Sequence, residues 1–230
     1  MLARFLTTTV LAGVLTLQSC IPVHARGEDE GPTFFVVFEN GGVVTDPEVQ
    51  IETARSTLGE LAELRRRRAM RDAVIHIITS ANPTEITWSG TPDQLYEQGT
   101  VVMEALAIRP TCSDLTLAWG EVRNNLRINR PDDLRLIGIG PFIHAGYPCD
   151  EGDGLITLPQ EVPDEVQLGA MAADASFVRL LNVHADQDEM VLEHLEAAGV
   201  LARVTSGELD FDLMDKARTR SNLGNILGRD

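Results

Sequence analysis

Two short runs of consecutive apolar residues set the terms for any fold this chain can adopt. Thr33 to Phe38 reads T-F-F-V-V-F, and Ala73 to Thr79 reads A-V-I-H-I-I-T. β-Branched and aromatic residues dominate both. A strand wetted on one face alternates apolar with polar; a near-continuous run is buried on both faces. Burying both faces requires helices above and below a mostly parallel sheet. A helical pattern does separate the two runs. Asp46 and Pro47 supply an N-cap and an N1 proline. Val49, Ile51, Ala54, Leu58, Leu61, Ala62 and Leu64 then give one apolar face, and this predicts a helix ending near Met70.

The pattern continues along the chain. Asn82-Pro83 marks a turn, and Glu85 to Trp88 reads as a third, shorter strand. The turn between strands two and three is too short for a crossover, so this pair is expected to be an antiparallel edge. Thr91-Pro92 caps a further helix from about Asp93, and Ser113-Asp114 caps another. Leu134 to Ile139 and Phe177 to Val183 are the fourth and fifth strands. Asp186 with Glu189 reads as a capping box, and Gly199 as a C′ glycine ending that helix. A short strand at Leu201 to Val204 and a helix from about Phe211 to Leu227 complete the reading. The expected fold is an α/β three-layer sandwich with a mostly parallel central sheet and one antiparallel edge strand. Residues 141–163 stand apart as a loop dense in Gly, Pro and acid.

The N-terminus has a different character. Arg4 precedes an uncharged, largely apolar stretch from Phe5 to Leu17. That is too short for a permanent membrane span and suits a signal h-region. Val23-His24-Ala25 fits a signal peptidase site. Leu17-Gln18-Ser19-Cys20 resembles a bacterial lipobox, which makes Cys20 the candidate for lipidation. Both readings stay open. The expected organisation is residues 1–25 as signal peptide, 26–32 as linker and 33–230 as one domain. The expected location is periplasmic or secreted, with membrane attachment only through an anchor at Cys20. No later segment approaches about 18 consecutive apolar residues. The formal net charge of −16 becomes one unit more negative without Arg4. Such a balance disfavours nucleic acid and anionic membranes as partners. With Cys20 in the leader, Cys112 and Cys149 remain as an even pair in a compartment that permits disulfides. A bridge between them would add roughly 3–4 kcal/mol in the chain-entropy model.

Four places carry a resemblance to a known family. They are V-V-F-E-N-G-G at 36–42, I-I-T-S-A-N-P-T-E-I-T-W-S-G-T at 77–91, the helix opened by Cys112-Ser113-Asp114-Leu115, and F-V-R-L-L-N-V at 177–183 followed by a helix. In element order and local pattern, 33–228 resembles a von Willebrand factor type A domain. That family commonly holds a divalent metal through Asp-x-Ser-x-Ser after the first strand, a threonine from a later loop and an aspartate after the fourth strand. Here the first motif is Glu39-Asn40-Gly41-Gly42-Val43, without hydroxyls, and the fourth strand is followed by Gly140-Pro141-Phe142, without an acid. Thr100, Ser113 and Asp114 are the remaining candidates and cannot coordinate a metal alone. The resemblance therefore implies the scaffold without the metal: no metal site and no cofactor. The opening T-F-F-V-V-F-E-N-G-G-V-V-T also resembles the start of the OmpA-like peptidoglycan-binding domain. The Asp and Arg with which that family holds diaminopimelate have no assigned counterpart here.

Catalytic motifs are missing from the sequence. There is no G-x-S-x-G elbow and no phosphate-binding loop, and the only lysine is Lys216. Leu136 to Gly140 is a strand with two glycines rather than a dinucleotide fingerprint. Arg65 to Arg68 with Arg71 reads as a solvated helix end, or else as a docking patch for an anion. His184, Asp186 and Asp188 read as a helix start, with metal binding as the alternative. His76 and His194 read as structural. Asp150 to Gly154 lacks calcium-loop spacing. Ligands of open α/β sheets sit at the carboxyl ends of strands. That rule makes Glu39, Asn40, Ser113, Asp114 and His144 the expected binding surface. The expected function is an exported, non-catalytic protein-interaction module of the cell envelope, with an unidentified protein partner. The alternatives are an extracytoplasmic hydrolase working through Glu39 or His184, and a peptidoglycan-binding module.

Overall fold

The structure is a computed structural model describing residues 31–41, 46–109, 115–142 and 167–228. Six strands form one sheet: β1 (Thr33–Phe38), β2 (Val74–Thr79), β3 (Trp88–Gly90), β4 (Leu134–Ile139), β5 (Phe177–Val183) and β6 (Asp210–Asp215). Their order is β3-β2-β1-β4-β5-β6. All neighbours are parallel except β2 and β3, which pair antiparallel as expected.

The double burial of the central strands follows the sequence pattern. Phe34, Val36 and Phe38 face one core, and Phe35 and Val37 face the other. The first core is roofed by α1 (Pro47–Glu63) and α2 (Pro92–Ala105), through Ala54, Leu58, Leu61, Leu95 and Val102. The second is covered by α3 (Leu115–Asn129), α4 (Leu168–Asp174), α5 (Asp188–Ala197) and α6 (Val200–Ser206). Trp119, Met171, Leu195 and Val200 are their buried contacts. The molecule is thus an α/β three-layer sandwich. The last helix, α7 (Lys216–Ser221), leads to a C-terminal segment clamped on α1. Glu60 Oε1 and Oε2 accept from the backbone N–H groups of Ile226 and Leu227, each at 3.0 Å.

Helix starts follow the side chains that cap them. Asp46 Oδ1 accepts from Val49 N–H at 3.3 Å. Thr91 and Gln94 form a reciprocal capping box. Gly199 sits at φ +76 just past α5, where a left-handed residue ends a helix.

Several boundaries differ from expectation. The first helix gives way at Glu63 to a 3-10 turn over Leu64–Arg66 rather than running to Met70. Leu64 is the last apolar residue before four consecutive arginines, which offer no face to bury. The third strand is Trp88–Gly90 instead of 85–88, although Thr87 N–H already donates to Ile77 O. The capping box at Asp186 and Glu189 does not form. The residue before α5 is Gln187, and Asp188 Oδ1 takes the Glu189 N–H at 2.7 Å. The C-terminal region is exchanged in type: 200–206 is helix where a strand is expected, and 210–215 is strand where a helix is expected. Gly199 and Gly207, both left-handed, bracket α6 and let it fold back on α5. In β6, Phe211 and Leu213 pack on one core while Asp210 and Asp212 alternate with them, which is a period of two. The sequence reading assigned no helix at Leu168–Asp174.

Candidate functional site: the carboxyl ends of the strands

The sheet reverses direction of growth between β1 and β4, and the residues that follow those strands meet there. Glu39 follows β1 and is 3% exposed. Its carboxylate accepts from Phe142 N–H at 2.9 Å, beyond the end of β4. Burial pushes its pKa up to about 8, against the lowering effect of that one hydrogen bond. Gly140 makes room for it: a Cβ there would come within 2.5 Å of the Glu39 carboxyl. Gly138 does the same for the Phe142 ring, at 2.5 Å. The two glycines of the fourth strand serve close packing.

Asn40 is 1% exposed and fully engaged. Its N–H donates to Ser80 Oγ, and its Nδ2 to Ala107 O. Its Oδ1 accepts from Ala81 N–H, and its carbonyl from Arg109 N–H. It pins the loops after β2 and α2 to the end of β1. Glu39 and Asn40 therefore stand at the carboxyl ends as expected, but beneath the surface rather than on it. Both are consumed by structural bonds. Ser113, Asp114, His144, Cys112, Cys149, Cys20 and the 150–154 loop lie outside the described residues.

A cavity of about 730 Å³ opens on the other half of the same edge. Val49, Pro141, Val183, Ala185 and Ala217 form its apolar walls. Asp46, Asp215, Lys216, Arg220 and His184 supply its polar lining. The fixed charges are locally balanced. Lys216 is paired with Asp46, and its ammonium holds the Asp46 carboxyl below the usual range. Arg220 lies 4.0 Å from Glu52. Asp215 Oδ1 caps α7 through Arg218 N–H at 2.7 Å.

The floor of this groove is a polar network with a definite direction. Gln50 Nε2 donates to Glu39 O at 3.1 Å and Ile139 O at 2.8 Å. That leaves Gln50 Oε1 as an acceptor, and Asn182 Nδ2 donates to it at 3.2 Å. Asn182 Nδ2 also donates to Thr53 Oγ1 at 2.9 Å, because the Thr53 hydroxyl is spent on Val49 O. Asn182 N–H donates to Thr219 Oγ1 at 2.9 Å. Asn182 sits at φ +62, where the register with β6 shifts between Leu181 and Val183. Such a bulge redirects a side chain that regular pleating would aim elsewhere. The sequence reading passed over Gln50, Thr53, Asn182 and Thr219. The signal was there in part: an asparagine inside F-V-R-L-L-N-V, and Gln50, Thr53 and Thr57 on the buried side of α1.

The remaining candidates make contacts within the fold. His76 Nδ1 is 2.9 Å from Ser89 Oγ and its ring stacks on Phe35, with its pKa lowered by burial. His194 Nε2 accepts from Gly169 N–H. His184 Nδ1 accepts from Asp186 N–H, and Asp188 is spent on Glu189. No cluster of three or more His, Cys, Asp or Glu suited to a metal occurs among the described residues. Arg66 pairs with Glu63, Arg71 pairs with Asp72, and Arg65 stacks on Tyr96 at 3.9 Å. No helix among the described residues is long and apolar enough to cross a membrane.

No protein-family model matches the chain, and no curated protein matches it in sequence. Among solved structures it is similar to the PilB minor pilin from Streptococcus sanguinis, at 8% identity and a TM-score of 0.45, over 85% of this chain. The D319A mutant of that pilin gives 9% identity, a TM-score of 0.43 and 86% coverage. This chain spans 60% of the length of each.

Proposed function

We propose that this is an exported, non-catalytic interaction module of the cell envelope that holds a protein partner at the carboxyl edge of its sheet. One observation carries the reading. On that edge a groove of about 730 Å³ has apolar walls and internally paired charges, while the strand-end carboxylate Glu39 is buried and committed to Phe142. A groove of this composition suits binding. The histidine–carboxylate contact a hydrolase could draw on, between His184 and Asp186, is weak. His184 Nδ1 is 3.8 Å from Asp186 Oδ2, and the Nδ1 lone pair already takes a backbone N–H. The leader at 1–25 supports export. The order of elements through β5 supports the von Willebrand A-like reading of the scaffold, with its metal motif replaced by Glu39-Asn40-Gly41. Affinity capture from the envelope with the unaltered protein and with Ala217→Trp tests this. Ala217 is an exposed groove residue whose enlargement fills the site without touching the core. A partner enriched by the first and lost with the second supports the module. Identical capture by both contradicts it.

A further inference from the structure

Glu39 faces the peptide between Pro141 and Phe142, and that peptide stands in the more strained of two orientations. Phe142 has φ +57, a left-handed backbone that an aromatic residue rarely holds. Proline followed by a left-handed residue is the pattern of a type II turn, which favours glycine in the second place. A type I turn accepts the same proline and leaves its successor with an ordinary negative φ. The two differ by a flip of the planar peptide unit between the residues. A flip turns the N–H and C=O about and moves the flanking side chains little, so the buried Phe142 ring can keep its packing. Two hydrogen bonds hold the strained orientation. Phe142 N–H donates to Glu39 Oε1 at 2.9 Å, and Pro141 O accepts from His184 N–H at 3.0 Å. The first of them depends on a proton. A carboxylate can only accept, whereas a carboxylic acid has an O–H to donate and suits a carbonyl. We propose that Glu39 works a two-state switch: its carboxylate holds the Phe142 N–H, and on protonation the peptide flips to present the Pro141 carbonyl to the carboxyl O–H.

The corner is built around this contact. Glu39 is 3% exposed, and a Cβ on Gly140 would come within 2.5 Å of its carboxyl. The charged groups around it are Arg109 after α2 and His184 and Asp186 after β5, while α1 and the turn after β2 face it with the neutral Gln50 and Ser80. None of them sets its titration: burial moves it to about 8, against the Phe142 bond, so both charge states occur at mildly alkaline pH. The consequence falls on the groove. Pro141 is one of its apolar walls, and the flip takes the Pro141 carbonyl away from His184 N–H, which stands on the same groove. The switch goes beyond the interaction-module reading, because it makes the shape of the β5–β6 side depend on the charge of a residue after β1.

Nuclear Overhauser spectra of the 15N-labelled protein at pH 6 and pH 9 test it. The distance from Pro141 Hα to Phe142 H–N is short in a type II turn and long in a type I turn. The cross-peak between them should therefore weaken about tenfold from pH 9 to pH 6. Phe142 N–H should lose its protection from hydrogen exchange over the same range, after correction for the intrinsic rate. Glu39→Gln has no charge to lose and should remove both changes; any effect of His184 titration would survive in that variant. A cross-peak of equal strength at both pH values, a change of opposite sign, or the same change in Glu39→Gln overturns the proposal. The wild-type measurement is decisive even if the variant folds poorly.

Discussion

Two asparagines terminate two strands of the same sheet, and they are used in opposite ways. Asn40, after β1, has all of its hydrogen-bonding groups engaged and joins three loops. Asn182, at the end of β5, engages its two donors with the groove floor and keeps a buried oxygen free. The β1–β2 side of the edge is therefore closed by its own bonds, and the β5–β6 side is left with an acceptor to satisfy. A strand-end position alone does not make a ligand residue; what matters is whether the fold has already used its polar atoms.

The largest expected effect breaks the closed side. Asn40→Ala strands Ala81 N–H and Ala107 O together, and should cost about 3 kcal/mol in denaturant unfolding. Next comes Arg179, 7% exposed, which binds Asp210 through both carboxylate oxygens at 2.8 Å and also reaches Ile226 O. Asp210 is well exposed and can return to water, so Arg179→Met should cost only about 2 kcal/mol, read in the same way.

Glu39 differs from both in that its effect depends on pH. Its folded pKa is raised to about 8, so the folded state keeps a proton that the unfolded chain releases above the ordinary value of 4.5. Stability should therefore fall as pH rises between those values, by at most ~1.4 kcal/mol per unit for one group. Below that window both states are protonated, and above it both are ionised. Glu39→Gln keeps an acceptor for Phe142 N–H and should flatten the profile. An unchanged slope in unfolding at pH 5, 6.5 and 8 would show that another group sets it. The smallest effect sharpens the open side. Asn182→Gly and Asn182→Ala both lose the network, but only alanine must hold a left-handed φ. The alanine variant should be about 1 kcal/mol the less stable of the two.

How much of this was legible in the sequence follows the physics of burial. The central strands announced themselves because burial on both faces leaves continuous apolar runs, as in T-F-F-V-V-F. The antiparallel edge followed from a short connection. The C-terminal third was misread because β6 has only one neighbouring strand and is half wet, so Asp210, Asp212 and Asp215 weaken its apolar signal. Its alternation was the better guide. In α6, Leu201 and Val204 suggested a strand, and the two left-handed glycines that close the helix outweighed them. At the candidate site, topology placed Glu39 and Asn40 correctly at the carboxyl edge. Their burial was not legible, because it depends on Phe142, Ala107 and Arg109, distant in sequence. Asn182 escaped notice because nothing local marks a bulge whose partner strand comes almost 30 residues later.

The central claim is that partners engage the β5–β6 side of the carboxyl edge and leave the β1–β2 side alone. A photo-crosslinking residue placed at Ala217 and, separately, at the exposed Thr84 in the turn after β2 tests it in the intact envelope. The account predicts a discrete crosslinked partner from position 217 and none from 84. A partner captured from 84 and not from 217 would contradict it.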